Sequence, residues 1–248
     1  TNRLIRTLTE HGIHVELSST LFDIAAHRLV IRPVGRIPMM YVEPVRRDGW
    51  RPAAKRLFDI VVAGAALVAT VPVMAVAAAA VKLTSPGPVL FRQFRVGRDG
   101  ELFEMLKLRT MYIDAEARAA EVAELNRASG LLFKAPDDPR ITPVGRILRR
   151  LSIDEIPQLL NVLKGDMSLV GPRPALPSEA IHWTDTLRNR VRVKPGITGM
   201  WQIGRGDGAD HDATYERLDL YYVDNWSVVT DLAILARTIP VVLSARNT

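Results

Sequence analysis

Two adjacent carboxylates, Asp154 and Glu155, are the residues of this 248-residue sequence whose types and spacing best fit a chemical role. Pro157 follows them, and because proline is tolerated only near a helix start, the pair lies at or beside a helix N-terminus. Such a position attracts phosphate groups. The alternative is a capping box, in which Ser152 and Glu155 satisfy free backbone N–H groups at the helix start.

The composition limits the chemistry that the chain can perform. It contains no cysteine, which excludes disulfides and thiolate metal sites, and its five histidines never fall in a metalloprotease spacing. The formal net charge of +6 suits nucleic acid, an anionic membrane surface or a phosphorylated substrate. Because the basic residues flank apolar and phosphate-type features instead of forming one stripe, we expect no nucleic-acid partner.

The segment from Leu57 to Val81 carries a single charged residue, Asp59. As a straight helix it would measure about 38 Å, enough to cross a hydrocarbon core of about 30 Å. A buried core helix and a simple membrane span are the two alternatives. Pro72 near the middle predicts a break, and basic residues flank both ends, which favours both ends on the cytoplasmic side. We therefore expect a re-entrant helix–break–helix hairpin at residues 57–83. The flanking basic residues are Lys55, Arg56, Lys82, Arg92, Arg95 and Arg98.

Alternating residues after this segment predict two strands, Val89–Arg95 and Leu102–Lys107, around a turn at Gly97–Gly100. Lys107 and Arg109 then place two cations on one face at the end of the second strand.

Three more helices are expected after this strand pair, besides the one that begins near the carboxylate pair. Met111–Ala128 is charged and alanine-rich, which is typical of a solvated helix. The next helix places Arg146, Arg149 and Arg150 on one face, either as a solvated or interfacial surface or with Arg149 in a phosphate site. The C-terminal stretch Asp219–Leu243 predicts an amphipathic helix, with preceding aromatic residues that pack in the core or anchor the chain at a membrane interface.

Residues 1–50 contain too little apolar sequence to form a core alone, and are interpreted as the end of a larger domain plus a linker. His14–Leu17 and Met39–Glu43 predict short strands, and Leu21–Leu29 predicts a helix.

Several longer motifs, in this order, resemble those of the bacterial sugar transferases, also called polyprenyl-phosphate hexose-1-phosphate transferases or monotopic phosphoglycosyl transferases. The resemblance covers roughly residues 53–243. The motifs are Lys55-Arg-Leu-Phe-Asp59, Ser85-Pro-Gly-Pro88-Val-Leu-Phe-Arg-Gln93, Lys107-Leu-Arg-Thr-Met111, Asp154-Glu155, Asn161-Val-Leu-Lys-Gly-Asp-Met-Ser168, Gly171-Pro-Arg-Pro174, Lys194-Pro-Gly-Ile-Thr-Gly199 and Asp219-Leu-Tyr-Tyr222.

The resemblance implies a reaction and a place for it. Asp154 would attack the β-phosphorus of a nucleotide-diphosphate sugar, release the nucleotide monophosphate and pass the phosphosugar to a polyprenyl phosphate. Glu155 would share a Mg²⁺ ion with Asp154 or assist proton transfer. The cations expected to bind the substrate phosphates or nucleotide are Lys107, Arg109, Arg149, Arg173 and Arg205.

The resemblance also implies a setting in the cell. The protein would start the assembly of exopolysaccharide, capsule or O-antigen at the cytoplasmic face of the bacterial inner membrane, in contact with membrane lipid. A second copy of the chain, in a homodimer, is a candidate partner. Residues 1–50 would end a Rossmann-like domain, and residues 51–248 would form the catalytic domain.

The expected fold is α/β in content but mostly helical, with a small sheet, a re-entrant hairpin and amphipathic helices. A non-enzymatic, membrane-docked scaffold of a polysaccharide assembly complex is the alternative function, and under it the carboxylate pair is only a helix cap.

Overall fold

The computed structural model describes residues 28–35, 37–42, 49–118, 138–204 and 211–243. The chain divides into two compact units, Thr1–Pro44 and Val45–Thr248. About 54% of the described residues are helical, and the described strands form three two-stranded sheets. The expectation of a mostly helical chain with little sheet is therefore confirmed.

The first unit contains an antiparallel hairpin of β1 (Leu29–Val34) and β2 (Ile37–Val42). Gly35, with φ +62°, provides the left-handed residue that the tight turn needs. The strand predicted at Met39–Glu43 corresponds to β2. The predicted strand His14–Leu17 and most of the predicted helix Leu21–Leu29 lie outside the described residues. The assignment of this unit to a Rossmann-like domain stays a prediction.

The second unit holds the remaining helices and strands that the structure describes. They are α1 (Arg51–Thr84), β3 (Leu90–Val96), β4 (Leu102–Leu108), α2 (Pro143–Arg150), α3 (Gln158–Lys164), β5 (Ser168–Val170), α4 (Pro177–Ala180), β6 (Gly196–Thr198), α5 (Met200–Ile203), α6 (His211–Asp224) and α7 (Val228–Leu243).

The apolar segment forms one helix, α1, whose backbone stays helical across Pro72. It is long and apolar enough to cross a membrane, with a mean hydropathy of 2.4 in its most apolar window. Only 11% of that window is buried, and the side chains of Val68 and Val76 are 74% and 71% exposed. A buried core helix is therefore excluded, whereas the predicted break at Pro72 and the re-entrant course are not confirmed.

Both ends of α1 pack on the second unit, to which α1 itself belongs. Near its N-terminal end, Ala63 is fully buried in a cluster that includes Val162 and Tyr222. Near its C-terminal end, Ala77 and Val81 are buried in another cluster, together with Leu108 and Leu148. The exposed valines lie between these two anchored ends.

Polar contacts also fix the N-terminal end of α1. Lys55 donates to the Asp231 carboxylate at 2.6 Å, and the same carboxylate accepts from the Tyr222 hydroxyl at 2.7 Å. Asp59 accepts from the Leu169 N–H at 3.2 Å, and Arg56 donates to the carbonyls at the C-terminal end of α3. The motif Lys55-Arg-Leu-Phe-Asp59 is therefore a set of anchors for the apolar helix.

The antiparallel hairpin of β3 and β4 confirms the predicted strand pair. Asn161, which is fully buried on α3, accepts from the Leu106 N–H at 3.0 Å and donates to the Glu104 carbonyl at 2.7 Å. These two bonds fix α3 against the edge of β4. Asp154 and Glu155, just before α3, are thereby held beside Lys107 of β4.

One of the predicted helices differs from the structure. Met111 forms a β-bridge with Ile141, and residues 113–118 are turns, so no helix begins at Met111; residues 119–128 lie outside the described part. The helix predicted at the C-terminal end corresponds to α7, and the aromatic residues before it lie in α6 and in the loop between the two helices. In α7 the side chain of Ile234 is buried, whereas Leu232 and Ile239 are 49% and 62% exposed, so the apolar residues do not all face the core.

Candidate active site

A cavity of about 1020 Å³ in the second unit contains most of the predicted site residues. The β3–β4 hairpin lines one side, and the segment joining α2 to α3 lines another. The loop Gly171–Pro174 contributes Arg173 and Pro174. Pockets of this size hold ligands as large as a nucleotide sugar.

Asp154 and Glu155 lie on a short 3₁₀ turn, Ile153–Glu155, which precedes α3. Ser152 adopts a left-handed conformation with φ +55°, and its side chain does not cap the turn. The capping box proposed as an alternative is therefore not formed. Because the pair precedes the helix instead of occupying its first turn, the helix N-terminus does not account for its position.

Asp154 is a buried carboxylate, 7% exposed, that lines the cavity. Burial raises the pKa of Asp154 to about 6, because the charged form loses hydration, and the neighbouring Glu155 adds to this effect. Lys107 and Arg149 act in the opposite direction and lower it. The carboxylate is thus ionised at neutral pH but poorly hydrated, which is a favourable state for a nucleophile.

Lys107 is brought to the carboxylates by the alternation of β4. Its ammonium group lies 2.9 Å from the Glu155 carboxylate, whereas the flanking Leu106 and Leu108 are buried. The structure thus places Lys107 beside the acidic pair, whereas its role in binding substrate phosphates stays a prediction.

Arg109 has a different environment, although it shares the face of Lys107. Its guanidinium donates to the Ser85 carbonyl at 2.8 Å, to the Ser85 hydroxyl at 2.9 Å and to the Pro86 carbonyl. Arg109 lines the cavity, but these bonds direct its donors to the C-terminal end of α1. It connects the apolar helix with the strand that carries Lys107.

Arg149 lies in a different environment from the two other arginines of α2. Arg146 and Arg150 are exposed, whereas Arg149 faces the cavity and donates from Nε to the Thr110 hydroxyl at 2.8 Å. Burial lowers the pKa of Arg149, and the charge of Asp154 partly offsets this. Of the two interpretations of this helix, the structure places Arg149 in the candidate site.

Arg173 reaches the cavity from a loop whose backbone is tightly bonded. The Gly171 N–H donates to the Thr198 carbonyl, and the Pro172 carbonyl accepts from the Gly196 N–H at 2.9 Å. A side chain at Gly196 would collide with the Gly171 backbone, so the two segments approach closely only because both residues are glycines. The Arg173 guanidinium lies 3.2 Å from the Glu179 carboxylate.

Two cavity residues, Gln93 and Arg95, were not among the predicted site residues. Arg95 donates to the Pro174 carbonyl at 3.1 Å and to the Gln93 side chain at 2.6 Å. Burial lowers the pKa of Arg95 to about 10, and Arg173 contributes in the same direction. Gln93 and Arg95 are two residues apart on β3, so both lie on one face of the strand. This spacing is the sequence signal that could have identified them.

Arg205, the fifth predicted cation, lies outside the described residues. In the part of the chain that the structure describes, no group of three or more His, Cys, Asp or Glu residues could hold a metal ion. The adjacent pair Asp154 and Glu155 lines the cavity, as does the separate carboxylate of Glu116. Mg²⁺ is commonly held by one or two carboxylates together with substrate phosphates, so this pair suits a metal that arrives with its substrate.

The cavity combines a buried carboxylate with several cations, an arrangement that suits the transfer of a phosphoryl-type group. Comparisons with known proteins agree with this class. The bacterial sugar transferase family model matches residues 50–245. The chain therefore belongs to the bacterial sugar transferase family and is a transferase enzyme.

Three relatives illustrate the similarity. The galactosyl transferase CpsE of Streptococcus agalactiae is 48% identical over 158 residues, which cover 63% of this chain and 35% of CpsE. The exopolysaccharide production protein ExoY of Sinorhizobium fredii is 37% identical over 235 residues, 93% of this chain and 96% of ExoY. A UDP-glucose:undecaprenyl-phosphate glucose-1-phosphate transferase of Caulobacter vibrioides is 39% identical over 226 residues, 88% of this chain and 77% of that protein.

Proposed function

We propose that this enzyme transfers a hexose-1-phosphate from a UDP-sugar to a polyprenyl phosphate, giving polyprenyl-diphosphate-sugar and UMP. The names of the Caulobacter vibrioides transferase and of an undecaprenyl-phosphate galactose phosphotransferase from Salmonella typhimurium, 42% identical over 194 residues, support this reaction class. The reaction would be the first membrane step in the assembly of an exopolysaccharide, capsule or O-antigen.

One observation carries the mechanism: the buried Asp154 carboxylate opens into a cavity whose walls include Lys107, Arg149 and Arg173. A phosphoanhydride is anionic and repels an anionic nucleophile, so the reaction needs fixed positive charge where negative charge develops. The three cations supply it in a site where water is partly excluded and their field is strong.

In the first step, an Asp154 carboxylate oxygen attacks the β-phosphorus of the UDP-sugar. The bond between that phosphorus and the oxygen bridging to the α-phosphate breaks, and UMP leaves with the electron pair. The sugar phosphate remains on Asp154 as an acyl phosphate, a mixed anhydride that stays reactive toward a second nucleophile.

In the second step, an oxygen of the polyprenyl phosphate attacks the same phosphorus. The bond to Asp154 breaks, the carboxylate is regenerated, and the diphosphate link of the lipid product forms. Lys107 is paired with Glu155 at 2.9 Å, so its charge stays beside the reacting carboxylate through both steps. Glu155 itself holds Lys107 in place, shares the metal or assists proton transfer.

Asp154 and Glu155 are the residues that would hold Mg²⁺ together with the donor diphosphate. When bound there, the ion would neutralise diphosphate charge and make UMP a better leaving group. Its binding requires the ionised form of Asp154, so we expect metal affinity to fall at acidic pH.

We further propose that α1 enters one leaflet and returns to the same cytoplasmic face. The observation that supports this course is that both ends of α1 are anchored on the unit that contains the cavity, whereas its apolar middle is exposed. A straight span would place the two ends on opposite sides of the bilayer. The polyprenyl phosphate would then reach Asp154 from the membrane surface.

The test is release of UMP from a panel of UDP-sugars, with Mg²⁺ and a polyprenyl phosphate, by wild type, Asp154→Asn and Asp185→Asn. Asp185 is a matched control because its side chain is fully exposed and does not line the cavity. We expect release by wild type and Asp185→Asn, and none above background by Asp154→Asn. Equal release by all three proteins would overturn the assignment of Asp154.

A further inference from the structure

Arg173 is the one residue of Pro172-Arg173-Pro174 that has a backbone N–H, because proline has none. Both flanking carbonyls are already bonded, that of Pro172 to the Gly196 N–H and that of Pro174 to Arg95. The direction of the Arg173 side chain therefore depends on what holds the N–H and carbonyl of Arg173 itself.

A buried ion pair, Arg190 and Asp219, holds the carbonyl of Arg173. Nη2 of Arg190 donates to the Arg173 carbonyl at 2.7 Å and to the Asp219 carboxylate at 2.5 Å. Burial raises the pKa of Asp219 to about 6, and Arg190 and the Arg173 N–H act in the opposite direction. The ion pair therefore fixes the peptide group between Arg173 and Pro174.

The surroundings of Arg190 leave it little freedom to move. Its guanidinium lies over the ring of Trp183 at 5.0 Å and over the ring of Tyr215 at 4.5 Å. The side chains of Arg190 and Asp219 are 2% and 1% exposed. The aromatic rings fix the plane of the guanidinium and exclude water from its bonds.

Such a pair is a poor way to stabilise a core. Desolvation of two charges costs several kcal/mol, and apolar replacements of similar volume are often neutral or stabilising. The pair instead supplies a rigid, directional contact to one peptide segment, and that segment carries a cation of the candidate active site.

We propose that Arg190 and Asp219 are positioning residues, which hold the Arg173 backbone so that its guanidinium meets the phosphate groups of the donor. This inference rests on the proposed function of the cavity. It gives a role to Asp219 in the motif Asp219-Leu-Tyr-Tyr222, and to Arg190, which was not among the predicted site residues. Neither residue lines the cavity that contains Asp154.

The test is a double-mutant cycle on UMP release, with Arg190→Lys measured in the wild-type and Arg173→Ala backgrounds. Lysine keeps the charge but lacks the planar fork that bridges two acceptors. We expect kcat/KM to fall about 10-fold to 100-fold in the wild-type background and less than twofold when Arg173 is already alanine. An equal loss in both backgrounds, or no loss in the first, would overturn the proposal.

Two further variants separate positioning from general stability. In the double variant Arg190→Met/Asp219→Leu, the midpoint temperature of unfolding should be unchanged or raised, while kcat/KM still falls at least 10-fold. Tyr215→Phe is the matched control, because it keeps the ring over Arg190 and removes a hydroxyl that has no hydrogen-bond partner among the described atoms. We expect its kcat/KM to stay within twofold of wild type, and a loss equal to that of Arg190→Lys would contradict a role specific to the ion pair.

A readout independent of turnover is hydrogen exchange at the Gly171 and Arg173 amides. Exchange there should become faster in Arg190→Lys and stay unchanged in Tyr215→Phe. If exchange at these amides is unchanged in Arg190→Lys, Arg190 does not hold the Arg173 backbone, and the proposal is wrong. If exchange responds but wild type releases UMP from no donor, the proposed function has failed, and the positioning role fails with it.

Discussion

The cavity and the middle of α1 depart from the usual distribution of polar and apolar groups in opposite directions. The cavity buries charged groups, with Asp154 7% exposed, whereas α1 exposes apolar ones, with Val68 74% exposed. Each arrangement costs free energy in water alone. The partners that we propose would explain both arrangements, an anionic phosphate donor for the cavity and lipid for α1.

Two neighbouring cations lie between the cavity and α1, and each contacts a different one of these regions. Lys107 lies on β4 and Arg109 directly after it, yet Lys107 is paired with Glu155 and Arg109 with the end of α1. The end of β4 therefore connects the apolar helix to the acidic pair. The comparison shows that two cations two residues apart can contact different regions of the molecule.

The largest expected effect concerns the cavity and comes from Asp154→Asn. The substitution removes the proposed nucleophile but keeps the side-chain shape, so UMP release should fall by about 10⁴-fold. Membrane association, measured by sedimentation with vesicles, should stay unchanged. A loss of both properties would contradict the separation of the two regions.

The next largest expected effect is on kcat/KM, and it distinguishes Arg149 of α2, which lines the cavity, from its exposed neighbour Arg150. Arg149→Met should lower kcat/KM about 10²-fold to 10³-fold, because a charge aimed at the transferring phosphate is removed. Arg150→Met, one residue further on and exposed, should change kcat/KM less than twofold. Similar losses in both variants would show that α2 contributes a diffuse basic surface and no specific contact.

For α1, the expected effect is on membrane binding, and the substitution that tests it is Val68→Lys in the exposed middle of the helix. A lysine at the centre of a membrane segment costs about 2.5–3.5 kcal/mol, so vesicle binding should weaken about 100-fold. Val68→Ala, which adds no charge, should bind nearly as wild type does. Wild-type vesicle binding by Val68→Lys would mean that this part of α1 does not enter lipid.

The smallest expected effect is a pH-dependent difference in stability. The pKa of Asp154 is raised to about 6 from an ordinary value of 3.8, so the folded protein binds this proton more tightly than the unfolded chain does. The contribution of Asp154 to stability should therefore fall as the pH rises from about 4 to about 6, by roughly 2–3 kcal/mol.

Asp154→Asn lacks this contribution, because asparagine does not titrate. Its unfolding free energy, measured with EDTA to remove divalent metal, should exceed that of wild type by more at pH 7.5 than at pH 4.5. A difference that is constant with pH, or that has the opposite sign, would show that Asp154 is not destabilised by burial.

The sequence predicted those features that depend on local patterns. Alternation identified the β3–β4 hairpin and placed Lys107 on its accessible face, and the helical spacing of Arg149 made it a candidate. The long apolar segment was also evident, because few charges interrupt it. These features need no knowledge of contacts between distant residues.

Features that depend on distant contacts were missed or misread. Arg109 bonds with Ser85 and Arg190 with Asp219, pairs that are 24 and 29 residues apart and that no local pattern connects. The proposed capping box failed because Ser152 adopts a left-handed conformation, which spacing alone does not reveal. The helix predicted from Met111 does not begin there because Met111 bridges to Ile141, 30 residues away along the chain.

The central claim is that Asp154 forms a covalent bond with the sugar phosphate, and intact-protein mass spectrometry tests it most directly. The protein would be incubated with its UDP-sugar and Mg²⁺ in the absence of polyprenyl phosphate. Our mechanism predicts an adduct with the mass of one hexose phosphate on wild type, located at Asp154 by peptide mapping and absent from Asp154→Asn. An adduct on another residue would contradict the claim. So would stoichiometric release of UMP that occurs only after polyprenyl phosphate is added, with no adduct at any time.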